Sequence, residues 1–316
     1  MSTPIFEVCP NPSHRVSALL AEARKLLSDI SSTSCSDGGN GGTGHDPETA
    51  KKALDSILAD AQAVVDGQED FVQRSSNVPD PKAQWTKILE EMLASTQSTD
   101  WGGLFASGQI SYRLLPAMSS NNYEAGIITF LSGLLKPRRV LELGMFTGTI
   151  TLTFAAAKSV EQVVTLEVEP FLEGWCRPFW KRAGEGLNEK IDVRVGDARK
   201  TIDEMAQNGE APFDMILIDA DKPSYLAYFR KIVEHKLLSK NGVMIIDNVL
   251  FAGTAYAPYP VPLINPPNID QASVQRSNGY GVHLKELNAE ICNHPEVEVM
   301  MLGVEDGLSL VKWKDQ

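Results

Sequence analysis

Apolar residues recur with two different spacings along the chain, and the change falls near residue 121. Over 16–30 and 47–65 they recur at helical spacing, which predicts two amphipathic helices. A third helix is predicted over 81–95. The segment 31–46 is rich in glycine and serine, and we expect a flexible linker there because so little apolar surface cannot offset the entropy of ordering.

In the rest of the chain, short apolar runs alternate with helical patterns. The runs cover 139–143, 163–167, 191–195, 215–219 and 243–247. Such near-continuous apolar strands are typical of a mostly parallel sheet covered by helices on both faces. Two further runs at 297–302 and 308–313 predict a closing hairpin. The fold class is therefore α/β, a doubly wound sheet of seven strands, with a helical N-terminal extension over 1–80 and the main domain over 81–316.

Composition narrows the possible partners. The chain has 316 residues and a formal net charge of −12, without the clustered Lys and Arg that bind a phosphate backbone, so we expect no nucleic-acid partner. The sequence has no secretory pattern, and no apolar run reaches the roughly 18 residues of a membrane span. We expect a cytoplasmic protein without a membrane partner. The four cysteines are scattered, which argues against a zinc or redox motif.

A glycine turn over 142–148 follows the first strand, at the carboxyl end where open α/β sheets bind ligands. Tight packing of strand against helix would explain the turn equally well. Glu167 ends the second strand 23 residues after Gly144, where an acid can accept hydrogen bonds from a ribose diol. Asp197 and Ala198, after the third strand, could hold an adenine, although such an Asp is commonly a turn former. The spacing fits a dinucleotide or an adenosine cofactor, and the departure from G-x-G-x-x-G counts against NAD.

Carboxylates also end the fourth and fifth strands, as Asp219 and as Asp247 followed by Asn248. Because parallel strands end at one edge of the sheet, these oxygens can converge and supply the hard ligands that Mg²⁺, Ca²⁺ or Mn²⁺ prefer. Lys222 follows three residues after Asp219. The alternative is that both aspartates only cap turns or helices, and that Lys222 is an exposed surface lysine.

Four motifs in order give the chain a specific resemblance. They are LELGMFTG at 141–148, FDMILIDADK at 213–222 with Tyr225, DNVLFAG at 247–253 and DGLSL at 306–310. From about Met118 to Trp313 the sequence resembles the caffeoyl-CoA and catechol O-methyltransferase families. The resemblance implies a Rossmann-like methyltransferase sheet and an enzyme that transfers a methyl group from S-adenosylmethionine to a hydroxyl. It also implies a divalent cation, Mg²⁺ first, with Ca²⁺ or Mn²⁺ as alternatives.

The resemblance assigns roles to individual residues. It implies cofactor contacts for Met118, Glu142, Gly144, Gly148, Thr149, Glu167, Asp197, Ala198 and Asp219. It implies metal ligation by Asp219, Asp247 and Asn248. The implied catalytic set is Lys222, Asp219 and Asn248, with Lys222 as the general base.

The chain departs from the family pattern at two places. Relatives often carry Tyr-Ser where this chain has Thr149 and Ile150, so the hydroxyl usually offered to the cofactor carboxylate is missing. Thr149, Thr151 or backbone amides at a helix N-terminus could replace it. Pro223 directly follows Lys222, which stiffens the turn and leaves the lysine available.

The expected substrate is a small molecule with two adjacent oxygens. The N-terminal extension, the region around Trp101 and Gly108, and the segment 276–279 resemble the O-methyltransferases of mycosporine and gadusol-type pathways, whose substrate is a cyclic enediol. The alternative is a catechol or another phenolic secondary metabolite. A proline-rich loop, 256–270, could form a substrate wall, a surface insertion or an oligomer contact.

Two further expectations concern the molecule as a whole. The chain could be a methyltransferase-like binding or regulatory subunit without turnover, but a retired site has no chemical need of the intact acidic and lysine set. We expect a homodimer, because relatives of this fold are often dimers and the N-terminal helices offer an apolar face for pairing.

Overall fold

The computed structural model describes most of the chain, in five stretches. These are residues 20–27, 47–76, 79–251, 253–256 and 271–315. The chain forms two compact units, Met1–Asn77 and Val78–Gln316. Their border lies near the boundary predicted after residue 80, and the domain limits stay a prediction. No helix in the described stretches is both long and apolar enough to cross a membrane.

The first unit contains helical structure in both of its described stretches. Helix α1 covers 20–27, inside the helix predicted over 16–30. Helix α2, Pro47–Ser75, begins where predicted and continues beyond residue 65. Ala50 and Ala61 are buried residues of α2. The linker predicted over 31–46 lies outside the described residues.

The second unit alternates helices with strands. Its helices are α3 Gln84–Ser98, α4 Trp101–Ala106, α5 Asn122–Leu135, α6 Thr149–Ala156, α7 Pro170–Ala183, α8 Ala198–Gln207, α9 Tyr225–Glu234 and α10 Gln271–Asn293. Helix α3 confirms the helix predicted over 81–95 and starts three residues later. A capping box starts α5, because the Asn121 side chain accepts from the amide of Glu124 while Glu124 accepts from the amide of Asn121.

All seven predicted strands are present in one sheet. They are β1 Arg139–Leu143, β2 Gln162–Glu167, β3 Ile191–Val195, β4 Phe213–Ile218, β5 Leu238–Ile246, β6 Val297–Leu302 and β7 Leu308–Trp313. The order is β3-β2-β1-β4-β5-β7-β6, with β1 to β5 parallel. Strand β7 pairs antiparallel with both β5 and β6, which confirms the closing hairpin.

The apolar strands are buried on both faces of the sheet. In β4, Met215 and Leu217 belong to the core on one face, while Ile216 and Ile218 belong to the core on the other. The strand order reverses between β1 and β4. Open α/β sheets bind ligands in the crevice at such a switch point, outside the carboxyl ends of the strands. The residues that follow β1, β4 and β5 therefore meet at one edge.

Candidate active site

The glycine turn after β1 is built around two close approaches. Gly144 has a φ of +92°, and a Cβ added there would collide with the backbone carbonyl of Asp219. The ends of β1 and β4 meet at this point, since the Asp219 amide donates to the Leu143 carbonyl at 2.9 Å. Gly148 has a φ of +68°, and a Cβ there would collide with the Trp180 ring. Packing alone therefore requires glycine at both positions, whether or not either residue contacts a cofactor.

Glu142 lies beneath this turn rather than in open space. It is 1% exposed, and its Oε2 accepts from Thr151 Oγ1 at 2.5 Å and from Thr165 Oγ1 at 2.6 Å. Burial raises the pKa of Glu142 to about 8. The Thr151 hydroxyl is therefore already engaged. Two candidates are left to take the place of the hydroxyl missing at Ile150 and bind the cofactor carboxylate. They are Thr149 and the backbone amides at the N-terminus of α6, a helix without a side-chain cap.

The predicted ribose acceptor, Glu167, is bonded to backbone amides. Its Oε2 accepts from the amides of Met145 and Phe146 at 3.2 and 2.9 Å, and its Oε1 accepts from those of Val168 and Glu169 at 2.8 and 2.9 Å. Burial raises the pKa of this carboxyl. Glu167 thus ties the glycine turn to the end of β2. Contact with a ribose requires at least one of these bonds to be shared or exchanged, and it stays a prediction.

The predicted adenine contacts lie at the start of α8. The Asp197 side chain accepts from the amide of Arg199, so it caps this helix as the turn-former alternative expects. Its carboxylate also binds the Arg199 guanidinium at 2.8 and 3.0 Å, and this bond lowers the pKa of Asp197 to about 2. Ala198 is the first residue of α8. Neither arrangement tests the adenine assignment.

Lys222 lies at the meeting point of β4, β5 and α9. Its Nζ donates to Asn248 Oδ1 at 2.6 Å, to the Tyr225 hydroxyl at 2.7 Å and to Asp219 Oδ1 at 3.1 Å. Lys222 is 9% exposed, so the interpretation of it as an exposed surface lysine is wrong. Tyr225 is present in the sequence motif, but its contact with Lys222 depends on the turn 222–224 that leads into α9.

A small cavity, open to solvent, lies beside these residues. It is lined by Ser120, Glu124, Ile127, Ile128, Ile150, Leu217, Asp219, Asp247 and Leu308. Asp247 is 6% exposed, and its pKa is raised well above the ordinary value by burial and by the nearby charges of Asp219 and Glu124. Asp247 Oδ1 also accepts from the Asn248 amide at 2.6 Å. This bond is in part the turn-capping role that the sequence offered as the alternative to metal ligation. The lining of the cavity combines apolar side chains with three acidic ones.

Glu124 is a site residue that the sequence reasoning missed. Burial, with added repulsion from Asp219 and Glu305, raises its pKa to about 7. The sequence feature that could have drawn attention to Glu124 is the N-x-x-E pattern of a capping box at Asn121–Glu124. This pattern predicts the start of a helix but does not indicate that the residue lines a cavity. Met118, in contrast, is 51% exposed at the end of the short turn Pro116–Met118, and its cofactor role stays a prediction.

The oxygen donors fit a small divalent cation. Among the described residues, no three His, Cys, Asp or Glu side chains form a metal-binding group. The candidate set instead combines Asp219 and Asp247 with the amide oxygen of Asn248. Oxygens of Asp219 and Asn248 already surround one cation, the Lys222 ammonium. Hard oxygen ligands, among them carboxyls that repel one another until a cation joins them, suit Mg²⁺, Ca²⁺ or Mn²⁺.

Comparison with known proteins gives a consistent result. The family described as O-methyltransferase matches residues 108–314. Tricin synthase 1 of Oryza sativa subsp. japonica is 30% identical over 202 residues, which are 62% of this chain and 74% of that protein. Catechol O-methyltransferase domain-containing protein 1 of Mus musculus is 33% identical over 189 residues, 59% of this chain and 64% of that protein. The SAH-bound Podospora anserina methyltransferase PaMTH1 matches with a TM-score of 0.64 and 25% identity, covering 79% of this chain and 95% of that one.

Proposed function

Because the chain belongs to the O-methyltransferase family and is an S-adenosylmethionine-dependent O-methyltransferase, we propose that a divalent cation assists its methyl transfer to one of two adjacent oxygens on a small molecule. The supporting observation is the cluster around Lys222. Its Nζ lies within 3.1 Å of Asp219 and Asn248, and Asp247 lines the same cavity as Asp219.

Each member of this cluster has a distinct task in the proposal. Asp219, Asp247 and Asn248 would hold the cation, Mg²⁺ first. The cation supplies positive charge that lowers the pKa of an adjacent substrate hydroxyl. Lys222, as the neutral amine, would accept the proton of that hydroxyl as general base and become an ammonium. S-adenosylmethionine supplies the methyl group on a sulfonium, so that the C–O bond forms as the C–S bond breaks and S-adenosylhomocysteine leaves.

The cofactor contacts continue away from this cluster. In the proposal, the glycine turn with Gly144 and Gly148 and the start of α6 at Thr149 face the methionine end of the cofactor. Glu167 would face the ribose, and the start of α8 would face the adenine. The uncapped amides of α6 support this orientation, because a helix N-terminus favours a carboxylate.

Two substrate classes present adjacent oxygens on a ring. A cyclic enediol comes first, because of the resemblance to mycosporine and gadusol-type O-methyltransferases. A catechol or another phenol is the second candidate, and the names of the rice and mouse relatives favour it. The apolar side chains that line the cavity suit the flat face of either ring. We also propose a homodimer in the cytoplasm.

Calorimetric titration of the metal-stripped protein tests this function. The protein, saturated with S-adenosylhomocysteine, is titrated with catechol and with a dihydroxycyclohexenone, each with and without Mg²⁺. We expect one of the two compounds to bind only when Mg²⁺ is present, because in the proposal its two adjacent oxygens bind to the cation. Asp247→Asn should abolish that binding, because it replaces a carboxylate ligand of the candidate metal site with a neutral amide.

Asp192→Asn is the matched control. Asp192 is a strand carboxylate whose contact is a surface ion pair with Arg194, so the substitution should leave both titrations unchanged. If a ring compound binds equally well with and without Mg²⁺, the assignment of Asp219, Asp247 and Asn248 to a metal is contradicted. If neither compound binds under any condition, both proposed substrate classes are contradicted.

A further inference from the structure

The three hydrogen-bond partners of Lys222 Nζ differ in one respect. Asp219 and Asn248 belong to the proposed metal set, whereas Tyr225 does not. The Tyr225 hydroxyl accepts from Nζ at 2.7 Å, and the ammonium also lies 4.9 Å from the centre of the Tyr225 ring. Tyr225 is therefore the partner that remains when the other two oxygens are committed elsewhere.

Tyr225 is held rigidly by its surroundings. It is the first residue of α9, directly after the turn 222–224 that carries the lysine. Its side chain is fully buried and belongs to the core on one face of the sheet. A phenol ring has two side-chain torsions, and close packing on all sides leaves its hydroxyl one position. That position lies within reach of Lys222 Nζ.

The other two contacts cannot persist unchanged when the site holds a cation. A divalent cation on Asp219 and Asn248 repels a nearby ammonium, and the repulsion is large because the group is shielded from water. We propose that Tyr225 is a positioning residue, whose hydroxyl keeps Lys222 Nζ beside the reacting hydroxyl once the oxygens of Asp219 and Asn248 are taken. The proposal rests on the function proposed above, in which Lys222 is the base.

The same helix supplies a matched control. Tyr228 lies one turn further along α9, is 4% exposed, and donates from its hydroxyl to Asp221 Oδ1 at 2.6 Å. Replacing either tyrosine by phenylalanine removes one buried hydroxyl and keeps the ring. A general loss of helix stability would affect both variants alike, whereas a loss of lysine position belongs to Tyr225→Phe alone.

Steady-state kinetics with the Mg²⁺-loaded enzyme provides the first test, with Lys222→Met as the reference for loss of the base. We expect Tyr225→Phe to lower kcat by about 10-fold to 100-fold, less than most of the roughly 10²-fold to 10⁴-fold that a positioned general base contributes, because the base itself is still present. The KM for S-adenosylmethionine should stay within about twofold, because no cofactor contact is removed. Tyr228→Phe should keep both constants close to those of the unchanged enzyme.

A second readout does not depend on turnover. Acetylation of Lys222 by an amine-selective succinimide ester is followed by mass spectrometry, in protein that holds Mg²⁺ and S-adenosylhomocysteine. Without its last fixed partner, the lysine should be acetylated several times faster in Tyr225→Phe than in the unchanged protein or in Tyr228→Phe. Mg²⁺ affinity, measured by calorimetry, should be closely similar in all three, because the Tyr225 hydroxyl reaches the proposed ligand Asp219 only through a weak contact of 3.5 Å.

The outcomes separate the two proposals. Full activity of Tyr225→Phe beside an inactive Lys222→Met overturns the role of Tyr225 and leaves the base assignment standing. Equal losses of activity in Tyr225→Phe and Tyr228→Phe, or an unchanged acetylation rate, also overturn it. Full activity of Lys222→Met contradicts the base assignment itself, and the positioning role falls with it.

Discussion

At the scale of single residues, the buried carboxyls of this enzyme serve different ends. Glu142 bonds to two threonine hydroxyls beneath the glycine turn, and Glu167 bonds to four backbone amides around it. Asp247 instead faces the cavity close to other negative charges, which raise its pKa further after burial has raised it. The first two hold the shape of the site, whereas the last has an oxygen facing the cavity that a cation could bind in place of a proton.

Glu142 gives a prediction about stability and pH. Its folded pKa of about 8 lies above the ordinary value of 4.5, so between these two pH values the unfolded chain loses this proton and the folded chain keeps it. The free energy of unfolding should therefore fall as pH rises through this window, by up to about 1.4 kcal/mol per pH unit from this group. Urea unfolding of the unchanged protein and of Glu142→Gln, at pH 5, 6, 7 and 8, measures the difference.

Glutamine has no proton to lose, so the stability of Glu142→Gln relative to the unchanged protein should improve steadily from pH 5 to pH 8. Other titrating groups are common to both proteins and cancel in the comparison. Two parallel curves would show that Glu142 is ionised in the folded protein at neutral pH.

At the scale of elements, the site forms where the strand order reverses between β1 and β4. The glycine turn after β1 presses against the backbone at the end of β4, where Asp219 lies. The cofactor turn and the proposed metal and base cluster therefore share a backbone junction. We therefore expect a change in one of them to shift the other.

Gly144→Ala tests this junction. The new Cβ would collide with the Asp219 carbonyl, and the φ of +92° is strained for alanine, so we expect a loss of at least about 2 kcal/mol of stability and more than tenfold weaker binding of S-adenosylhomocysteine. Gly133→Ala is the control. Gly133 is in α5 with nothing within 4 Å of an added Cβ, so alanine there should stabilise by about 0.5–1 kcal/mol. Unchanged cofactor binding by Gly144→Ala would contradict the shared junction.

At the scale of the whole molecule, the proposed chemistry belongs to one of the two compact units. Every predicted site residue lies within Val78–Gln316, and the family match covers 108–314. The unit Met1–Asn77 contributes helices α1 and α2 and none of the proposed contacts. Its proposed contribution is pairing between two copies of the chain.

A fragment of residues 78–316 separates these contributions. We expect it to fold and to bind S-adenosylhomocysteine within about threefold of the full chain, because the proposed cofactor contacts are all present. Sedimentation should show a dimer for the full chain and a monomer for the fragment. A fragment that folds but no longer binds the cofactor would mean that the first unit completes the site, and a monomeric full chain would contradict the homodimer.

The sequence by itself determined the sheet and most of the proposed chemistry. Apolar runs such as 215–219 can be recognised in the sequence because a strand buried on both faces needs nearly continuous hydrophobic residues. The acidic residues that follow β4 and β5 must lie at the same end of the sheet, because the two strands are parallel. Only the tertiary structure decided which groups touch. Tyr225 accepts a hydrogen bond from Lys222, Glu124 lines the cavity, and Glu167 accepts hydrogen bonds from the glycine turn. All three contacts are set by packing between elements. Such contacts leave no periodic trace along the chain, because they depend on how separate elements pack rather than on local spacing.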